Sequence, residues 1–232
     1  MTNFINKTQH ELVSYADIKS YISEPLEYIF IDTERVDNSD GSKSCLEISI
    51  CNEDGEDIFT TTIKQSPGFK LPDYKINEFN FSDEQLKYSP SFEQVNKTVK
   101  HICKNKVVCG WNISADLKWF PQLKANSYAI RDVMYRFSDV YGNWSPDWGN
   151  RSWVGLKNAA YDTGFVLLSG EKFHRARTDA RACAHIWRYC EENDLPKPKI
   201  NGDLILREDA EKLLQLDLCK KEESPEAISA NF

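Results

Sequence analysis

The sequence predicts an α/β fold in which helices flank one mixed sheet of five strands. Two observations carry this prediction. Short runs that are either continuously apolar or alternate between apolar and polar residues, as strands do, occupy residues 28–31, 45–51, 58–63, 107–111 and 129–133. Segments with helical spacing of apolar residues lie before the fourth strand, before the fifth and after the fifth, which is the element order of an α/β sheet.

The first half of the chain predicts a meander of three strands followed by a helix. A turn signal, Asn-Glu-Asp-Gly at residues 52–55, separates the second strand from the third. Residues 66–90 are rich in Pro, Asn and Asp and predict mostly loop. The helix is expected from Ser91 to Lys104, because apolar side chains recur there on one helical face.

The second half predicts three further helices around the last two strands. The first of them follows the fourth strand, over residues 116–123. After a loop over residues 141–152, Ser152 is a candidate cap for a helix over residues 153–162. The last helix is expected from about Arg177 to Cys190.

The chain divides into a main domain and two flanking segments. Residues 1–27 predict a helical lead-in, residues 28–192 the main domain, and residues 193–232 an acidic, partly disordered extension. The formal net charge is −7, of which residues 191–232 account for −5 with 11 acidic and 6 basic side chains. The rest of the chain is nearly neutral, so the acidic total does not exclude a phosphate-bearing substrate.

The sequence lacks the features of membrane and secreted proteins. No apolar run approaches the roughly 18 residues that a membrane span needs, and the first residues do not resemble a signal peptide. Seven cysteines, with no C-x-x-C pair among them, predict reduced and buried thiols, not disulfides or a zinc site. We therefore expect a cytoplasmic protein that does not bind membranes.

Carboxylates that follow the buried strands are the first candidate site residues. Asp32 and Glu34 stand two positions apart after the first strand, so both project to the same side if the strand continues. The same D-x-E spacing at residues 54–56 and 209–211 is explained by a turn and a solvated helix face. Two partly buried carboxylates side by side are costly without a cation, which indicates a metal site. Asp116, after the fourth strand, is a further candidate, with a helix-capping role as the alternative.

The spacing H-x-x-x-x-D occurs once in the chain, at His174 and Asp179. Asp179 shares a helical face with apolar residues of the last predicted helix and is expected to point inward. An inward carboxylate needs a partner, and a metal ion is a suitable one. The alternative is a capping aspartate with a surface histidine.

Taken in this order, the motifs resemble the DEDDh exonuclease family, whose members have an RNase H-like fold. The resemblance covers about residues 27–190 and includes Gly-Trp-Asn at 110–112, Leu-Lys-Asn-Ala-Ala at 156–160 and Phe-His-Arg-Ala at 173–176. The family's five catalytic positions correspond to residues that match its pattern here, namely Asp32, Glu34, Asp116, His174 and Asp179. The departures are Arg35, Trp111 and Ala115.

The resemblance implies a metal-dependent 3′→5′ exonuclease that releases 5′-mononucleotides by two-metal-ion hydrolysis. It implies two Mg²⁺ or Mn²⁺ ions and a histidine general base, His174, since histidine titrates near neutral pH. The implied metal ligands are Asp32, Glu34, Asp116 and Asp179. The expected partner is the 3′ end of single-stranded DNA or RNA, with DNA favoured. The expected substrate contacts are Thr33, Arg35, Trp111, Asn112 and Arg175.

Further basic and aromatic residues are candidates for substrate contact. Lys172, Arg175, Arg177 and Arg181 lie around the last acid and either bind phosphates or form a solvated helix face. Tryptophans 144, 148 and 153 crowd one stretch, as base-stacking residues do in single-strand binders. For Trp153 and Trp187 we favour core packing.

Three alternatives stay open at this point. The same chemistry suits an exoribonuclease or oligoribonuclease-like enzyme that trims RNA. A non-catalytic exonuclease fold used as a binding module is a second possibility, against which the intact acids and His174 argue. In the third, the acidic extension docks a partner protein.

Overall fold

The structure, a computed structural model, describes residues 26–38, 41–73, 76, 81–147, 149–193 and 203–205. Most of the lead-in, Trp148 and nearly all of the C-terminal extension lie outside the described residues, so what the sequence predicts for them stays a prediction. The six cysteines that the structure describes are buried, free thiols, as predicted. Among the described residues, no helix is long and apolar enough to span a membrane.

The five predicted strands are present and form one mixed sheet. Their bounds are β1 (Tyr28–Asp37), β2 (Lys43–Asn52), β3 (Asp57–Thr62), β4 (Val107–Gly110) and β5 (Ala129–Asp132). β2 runs antiparallel to both β1 and β3, whereas β1, β4 and β5 are parallel to one another. The spatial order is β3-β2-β1-β4-β5, and the predicted α/β class is confirmed.

Three short strands lie outside the prediction. β6 (Trp144–Ser145) and β7 (Asn150–Arg151) pair as a small hairpin within residues 141–152, where the sequence predicts a loop. β8 (Asp203–Ile205) adds antiparallel to β5 and extends the sheet to six strands. Strands of two or three residues are too short for an apolar alternation to be visible in the sequence.

Six α-helices and one 3₁₀ turn accompany the sheet within the described residues. They are α1 (Asp83–Tyr88), α2 (Phe92–Ile102), the 3₁₀ turn (Asp116–Lys118), α3 (Leu123–Asn126), α4 (Val133–Tyr141), α5 (Leu156–Asp162) and α6 (Ala176–Glu192). α2 and α6 confirm the helices predicted from Ser91 to Lys104 and from about Arg177 to Cys190. α2 begins with a capping box, in which Ser91 and Gln94 each bond the backbone N–H of the other.

β1 is buried on both faces of the sheet, which explains its continuous apolar run. Ile29 and Ile31 pack into one core cluster together with Val95 of α2. Phe30 faces the opposite side and packs into a second cluster with Trp187 of α6. A shift of the β1 register by one residue would exchange its two buried faces. Burial on both faces therefore fixes the register of β1 and, with it, the position of the acids that follow Ile31.

Two predicted helices have different bounds in the structure. The segment 116–123 holds one 3₁₀ turn followed by α3, because Pro121 has no N–H to donate and disfavours helical backbone at the residue before it. The helix predicted from Trp153 begins at Leu156. Its N-cap is the extended Gly155, so Ser152 does not cap it.

α1 and α4 are helices where the sequence indicated none. α4 begins at the side chain of Asp132, which accepts from the backbone N–H of Met134 at 3.0 Å. It also buries Arg136, whose guanidinium pairs with Glu191 and lies 4.6 Å from the ring of Trp187. A buried arginine interrupts the apolar periodicity of the helix, so the sequence pattern does not predict α4.

Candidate active site

The predicted catalytic residues meet in one cleft beside the carboxyl end of β4, where β1 continues beyond its pairing with β4. The two strands are parallel neighbours, and ligands bind at the carboxyl ends of such strands in open α/β sheets. All four predicted metal ligands and His174 line the cleft. Its complete lining is Asp32, Thr33, Glu34, Arg35, Trp111, Ala115, Asp116, His174 and Asp179.

Asp32 and Glu34 reach the cleft because β1 does not end after its apolar run. The strand continues to Asp37, so the two carboxylates project to the same side, as the spacing predicted. The pairing with β2 shifts register directly after Glu34. Such a bulge bends the strand locally and re-aims the side chains next to it.

Asp179 enters the cleft from α6, and His174 enters it from the segment just before this helix. Asp179 is buried in the first turn of the helix, and the backbone amide of His174 hydrogen-bonds its carboxylate. The imidazole of His174 is exposed to solvent. His174 has a φ of 65°, a left-handed conformation that is uncommon for residues other than glycine and recurs at functional sites.

Three of the acids are arranged as a cation site. Carboxylate oxygens of Asp32, Glu34 and Asp179 lie within 4.8 Å of one another. Oδ1 of Asp179 is buried and has no hydrogen-bond partner among the described residues. A buried carboxylate oxygen without a partner is costly, and Mg²⁺ or Mn²⁺ prefers oxygen ligands of this kind. The residues therefore fit a divalent cation.

Asp116 occupies the cleft in a different way. It is buried, and its Oδ1 accepts a hydrogen bond from Thr33 Oγ1 at 2.6 Å. It is not part of the three-residue cluster. Thr33, predicted as a substrate contact, thus positions the carboxylate of Asp116 in this structure.

Burial and mutual repulsion raise the pKa values of these acids. Burial raises the pKa of Asp32 well above its ordinary value, and the carboxylates of Asp116, Asp179 and Glu34 raise it further. Burial also raises the pKa of Asp116 to about 7, against the opposing hydrogen bond from Thr33. The pKa of Asp179 is raised to about 7, again mainly by burial. Without a cation, the cluster therefore retains protons near neutral pH.

These shifts predict that the metal-free protein loses stability as the pH rises. The folded cluster keeps protons that the unfolded chain releases near pH 4, so the free energy of unfolding falls between about pH 4 and pH 7. Thermal unfolding in a chelator should show a lower Tm at about pH 8 than at about pH 5.5. Added Mn²⁺ should stabilise more at the higher pH, since carboxylates bind metal in their deprotonated form.

A matched pair of variants tests the origin of this pH dependence. Asp32→Asn removes the carboxylate that faces the other three and should flatten the Tm profile. Asp139→Asn changes an exposed acid of α4 and should leave the profile as steep as in the wild type. Equal slopes in both variants would contradict the assignment of the effect to the cluster.

Two predicted substrate contacts lie outside the cleft lining. The backbone N–H of Asn112 donates to Asp132 Oδ1 at 3.1 Å, and its side-chain oxygen accepts from Ser114 at 3.1 Å. Asn112 also has a φ of 55°, so it shapes the turn after β4. Arg175 is held by Glu47 of β2. Arg35 and Trp111, for which substrate contact is likewise a prediction, line the cleft.

Glu47 is a site-supporting residue that the sequence analysis did not single out. It is 1% exposed and accepts from Arg175 Nε at 3.1 Å, from Arg175 Nη2 at 2.7 Å and from the backbone N–H of Ala176 at 2.9 Å. These bonds anchor the first residues of α6, directly after His174. The available signal was an acid within β2, a strand that is otherwise apolar or small from Cys45 to Cys51.

The basic residues of α6 form ion pairs within the protein. Arg177 Nε lies 2.5 Å from Asp57 Oδ2, and Arg181 pairs with Glu171. Arg175 pairs with Glu47 and lies 4.5 Å from the ring of Phe81. The sequence left two interpretations of this basic group open, phosphate binding and a solvated helix face. In the structure these three arginines are ion-paired with neighbouring acids.

Known proteins similar to this chain are exonucleases. RNA exonuclease 4 from Mycosarcoma maydis is 37% identical over 105 residues, a stretch that covers 44% of this chain and 28% of that protein. The match thus spans less than a third of that relative. No family model matches the sequence.

Solved structures show the same fold. The nuclease domain of 3′hExo, a DEDDh family member, bound to rAMP superposes with a TM-score of 0.55 at 15% identity, over 76% of this chain and 98% of that one. Exonuclease X in complex with 5′ overhanging duplex DNA gives 0.52 at 14% identity, over 73% and 95%. Exonuclease I of E. coli with a dA16 oligonucleotide gives 0.53 at 12% identity, over 72% and 41%. The predicted RNase H-like fold is confirmed, and this chain has the fold of the DEDDh-type 3′-exonucleases.

Proposed function

We propose that this protein is a metal-dependent 3′→5′ exonuclease that removes 5′-mononucleotides from the 3′ end of single-stranded nucleic acid. One observation carries the proposal: carboxylates from β1 and α6 converge within 4.8 Å, and one buried oxygen of Asp179 lacks a protein partner. The names of the similar proteins, all exonucleases, support it.

The four acids and His174 have distinct roles in this proposal. Asp32, Glu34 and Asp179 would hold one Mg²⁺ or Mn²⁺ ion, and Asp116 would contribute to the binding of a second. Bound divalent ions neutralise the phosphate and lower the pKa of a water molecule, which makes hydrolysis possible near neutral pH. His174 accepts the proton of the attacking water, and its exposure lets it pass that proton to solvent.

Residues at the edge of the cleft position the 3′ end. The ring of Trp111 packs 6.1 Å from that of Phe137 and lines the cleft beside Asp116, which suits stacking on the terminal base. The exposed Arg35 also lines the cleft and is the basic side chain placed to meet a phosphate. Both stand where the sequence departs from the family pattern.

An RNA substrate is the second candidate. The curated relative is named an RNA exonuclease, and the 3′hExo structure holds rAMP, whereas the Exonuclease X and Exonuclease I structures hold DNA. The proteins associated with RNA and those bound to DNA share this fold. The preference for ribose or deoxyribose therefore depends on the side chains that line the cleft. We favour DNA and treat an RNA-trimming enzyme as the alternative.

Docking of a partner protein by the acidic extension, and a cytoplasmic location, stay predictions.

Single-stranded DNA and RNA of one sequence, labelled at the 5′ end, test the proposal. With Mg²⁺ or Mn²⁺ present, we expect a ladder of products shortened from the 3′ end, together with free 5′-mononucleotides. A chelator should abolish both. Endonucleolytic fragments, or no turnover of either strand, would show that the proposed function is wrong.

His174→Ala tests the role of the general base. We expect turnover to fall about 10²- to 10⁴-fold, because a positioned base contributes that much to hydrolysis. Binding of Mn²⁺, measured by calorimetry, should stay within about twofold of wild type, since His174 is not among the clustered ligands. His185→Ala is the matched control, because His185 bonds the carbonyl of Thr163 away from the cleft.

A further inference from the structure

A group of solvent-exposed aromatic rings lies beside the cleft. We call Tyr135, Trp153 and Tyr161 the aromatic rim. Trp153 is 62% exposed and Tyr161 is 52% exposed, so the core packing predicted for Trp153 is wrong. The core packing predicted for Trp187 is confirmed by its 3% exposure. Large rings that stay exposed in a cluster mark binding surfaces in soluble proteins.

One end of the rim adjoins the cleft through α4. β4 and β5 are parallel and pair Gly110 with Asp132, so Trp111 and the start of α4 leave the sheet at the same edge. Tyr135 lies in the first turn of α4, and Trp153 packs edge-on against it at 5.9 Å and 88°. α4 thus meets the cleft through Phe137, whose ring lies 6.1 Å from that of Trp111, and it carries Tyr135 on its exposed side.

The other end of the rim adjoins the cleft through α5 and Phe173. Tyr161 packs edge-on against Phe173 at 5.6 Å and 78°, and His174 is the next residue along the chain. The ammonium group of Lys157 lies 6.0 Å from the ring of Tyr161. Trp153 precedes α5, a helix of seven residues that is roughly 10 Å long, and Tyr161 lies in the last turn of that helix. That length exceeds one stacked base step of about 3.4 Å, so the rim has room for more than one nucleotide.

We propose that the aromatic rim binds the nucleotides on the 5′ side of the terminal one in a single-stranded substrate. This inference rests on the proposed function, which places the 3′ end in the cleft. Exposed rings stack on bases without regard to sequence, and each such contact contributes about 1–3 kcal/mol. Lys157 adds a cation for the phosphate backbone. Continuity with the cleft at Tyr161, whose partner Phe173 directly precedes His174, favours a nucleic-acid strand over a protein as the occupant.

A comparison of long and short substrates tests the rim. A nitrophenyl ester of thymidine 5′-monophosphate fills only the cleft, whereas a 12-nucleotide single strand extends over the rim. In Trp153→Ala and Tyr161→Ala we expect the KM of the 12-mer to rise about tenfold more than the KM of the ester, as for the loss of one stacked base. Trp153→Phe should restore most of the difference, because phenylalanine keeps a ring for stacking.

Tyr88→Ala is the matched control. Tyr88 is 74% exposed at the end of α1, and the next residue, Ser89, bonds Thr62 of β3 at the opposite edge of the sheet. We expect both substrates to behave in this variant as they do in the wild type.

Binding of a fluorescent 12-mer in a chelator is measured separately, so that the rim is tested without turnover. Weaker binding in Trp153→Ala than in Tyr88→Ala would support the rim even if the wild type proved inactive and the proposed function failed. Equal binding in the two variants would overturn the inference. So would a dimer of the wild type that Trp153→Ala dissociates while 12-mer binding stays unchanged, because the rim would then be a protein interface.

Discussion

Asp179→Asn is expected to lower nuclease turnover by roughly 10³-fold or more, with the fold preserved. Asparagine has nearly the same volume as aspartate but no negative charge. The substitution therefore removes the ligand whose buried Oδ1 lacks a protein partner, in a cluster that acts as a unit. Turnover of a labelled single strand and binding of Mn²⁺ by calorimetry should fall together.

The matched control for this prediction is Asp162→Asn. Asp162 is an exposed acid at the end of α5, so its loss should change neither turnover nor Mn²⁺ affinity. The metal-free Asp179→Asn protein should unfold at or above the wild-type temperature, because one source of repulsion and buried charge has gone. Full activity in this variant would remove Asp179 from the metal site.

Glu47→Ala is expected to have the largest effect on stability, about 2–4 kcal/mol. Glu47 is buried and accepts three hydrogen bonds from the start of α6, so its removal leaves the guanidinium of Arg175 and the N–H of Ala176 without their acceptor. For a protein of this size, that loss lowers the Tm by roughly 5–15 °C. Thermal unfolding measures it directly.

Lys43→Ala is the control for Glu47→Ala. It breaks a 2.6 Å ion pair between Lys43 and Asp37 in which both side chains are largely exposed, and such pairs contribute at most about 1 kcal/mol. Arg175→Ala combined with Glu47→Ala should be less destabilising than the sum of the two single variants, since they share one contact. If Glu47→Ala were no worse than Lys43→Ala, Glu47 would not anchor α6.

Glu47→Gln separates positioning from stability. Glutamine can still accept from the N–H of Ala176 but meets Arg175 without a charge. We expect kcat to fall with little change in KM, because His174 and Asp179 flank the anchored residues and the substrate does not touch Glu47.

Local patterns were sufficient to predict most of the fold, and together with the family resemblance they named the five catalytic candidates that line the cleft. The run before Asp32 indicated a strand buried on both faces, because parallel strands covered by helices read as continuous apolar segments. The apolar side chains that recur on one face of residues 91–104 predicted α2, because helical periodicity is set by residues three and four apart. The helix predicted from about Arg177 to Cys190 placed Asp179 in its first turns and His174 just before it, and α6 begins at Ala176.

The sequence by itself therefore determined the strands, the long helices and the residue types of the cleft, since these depend on neighbours within a few positions. Only the tertiary structure decided which side chains meet across the chain. Glu47 and Arg175 lie 128 positions apart, and Thr33 and Asp116 lie 83 positions apart. Burial is equally non-local: Trp153 is exposed and Arg136 is buried, because each depends on what the folded chain packs against it. The three-acid cluster follows from the same cause, as β1 and α6 bring its members together only when the sheet has formed.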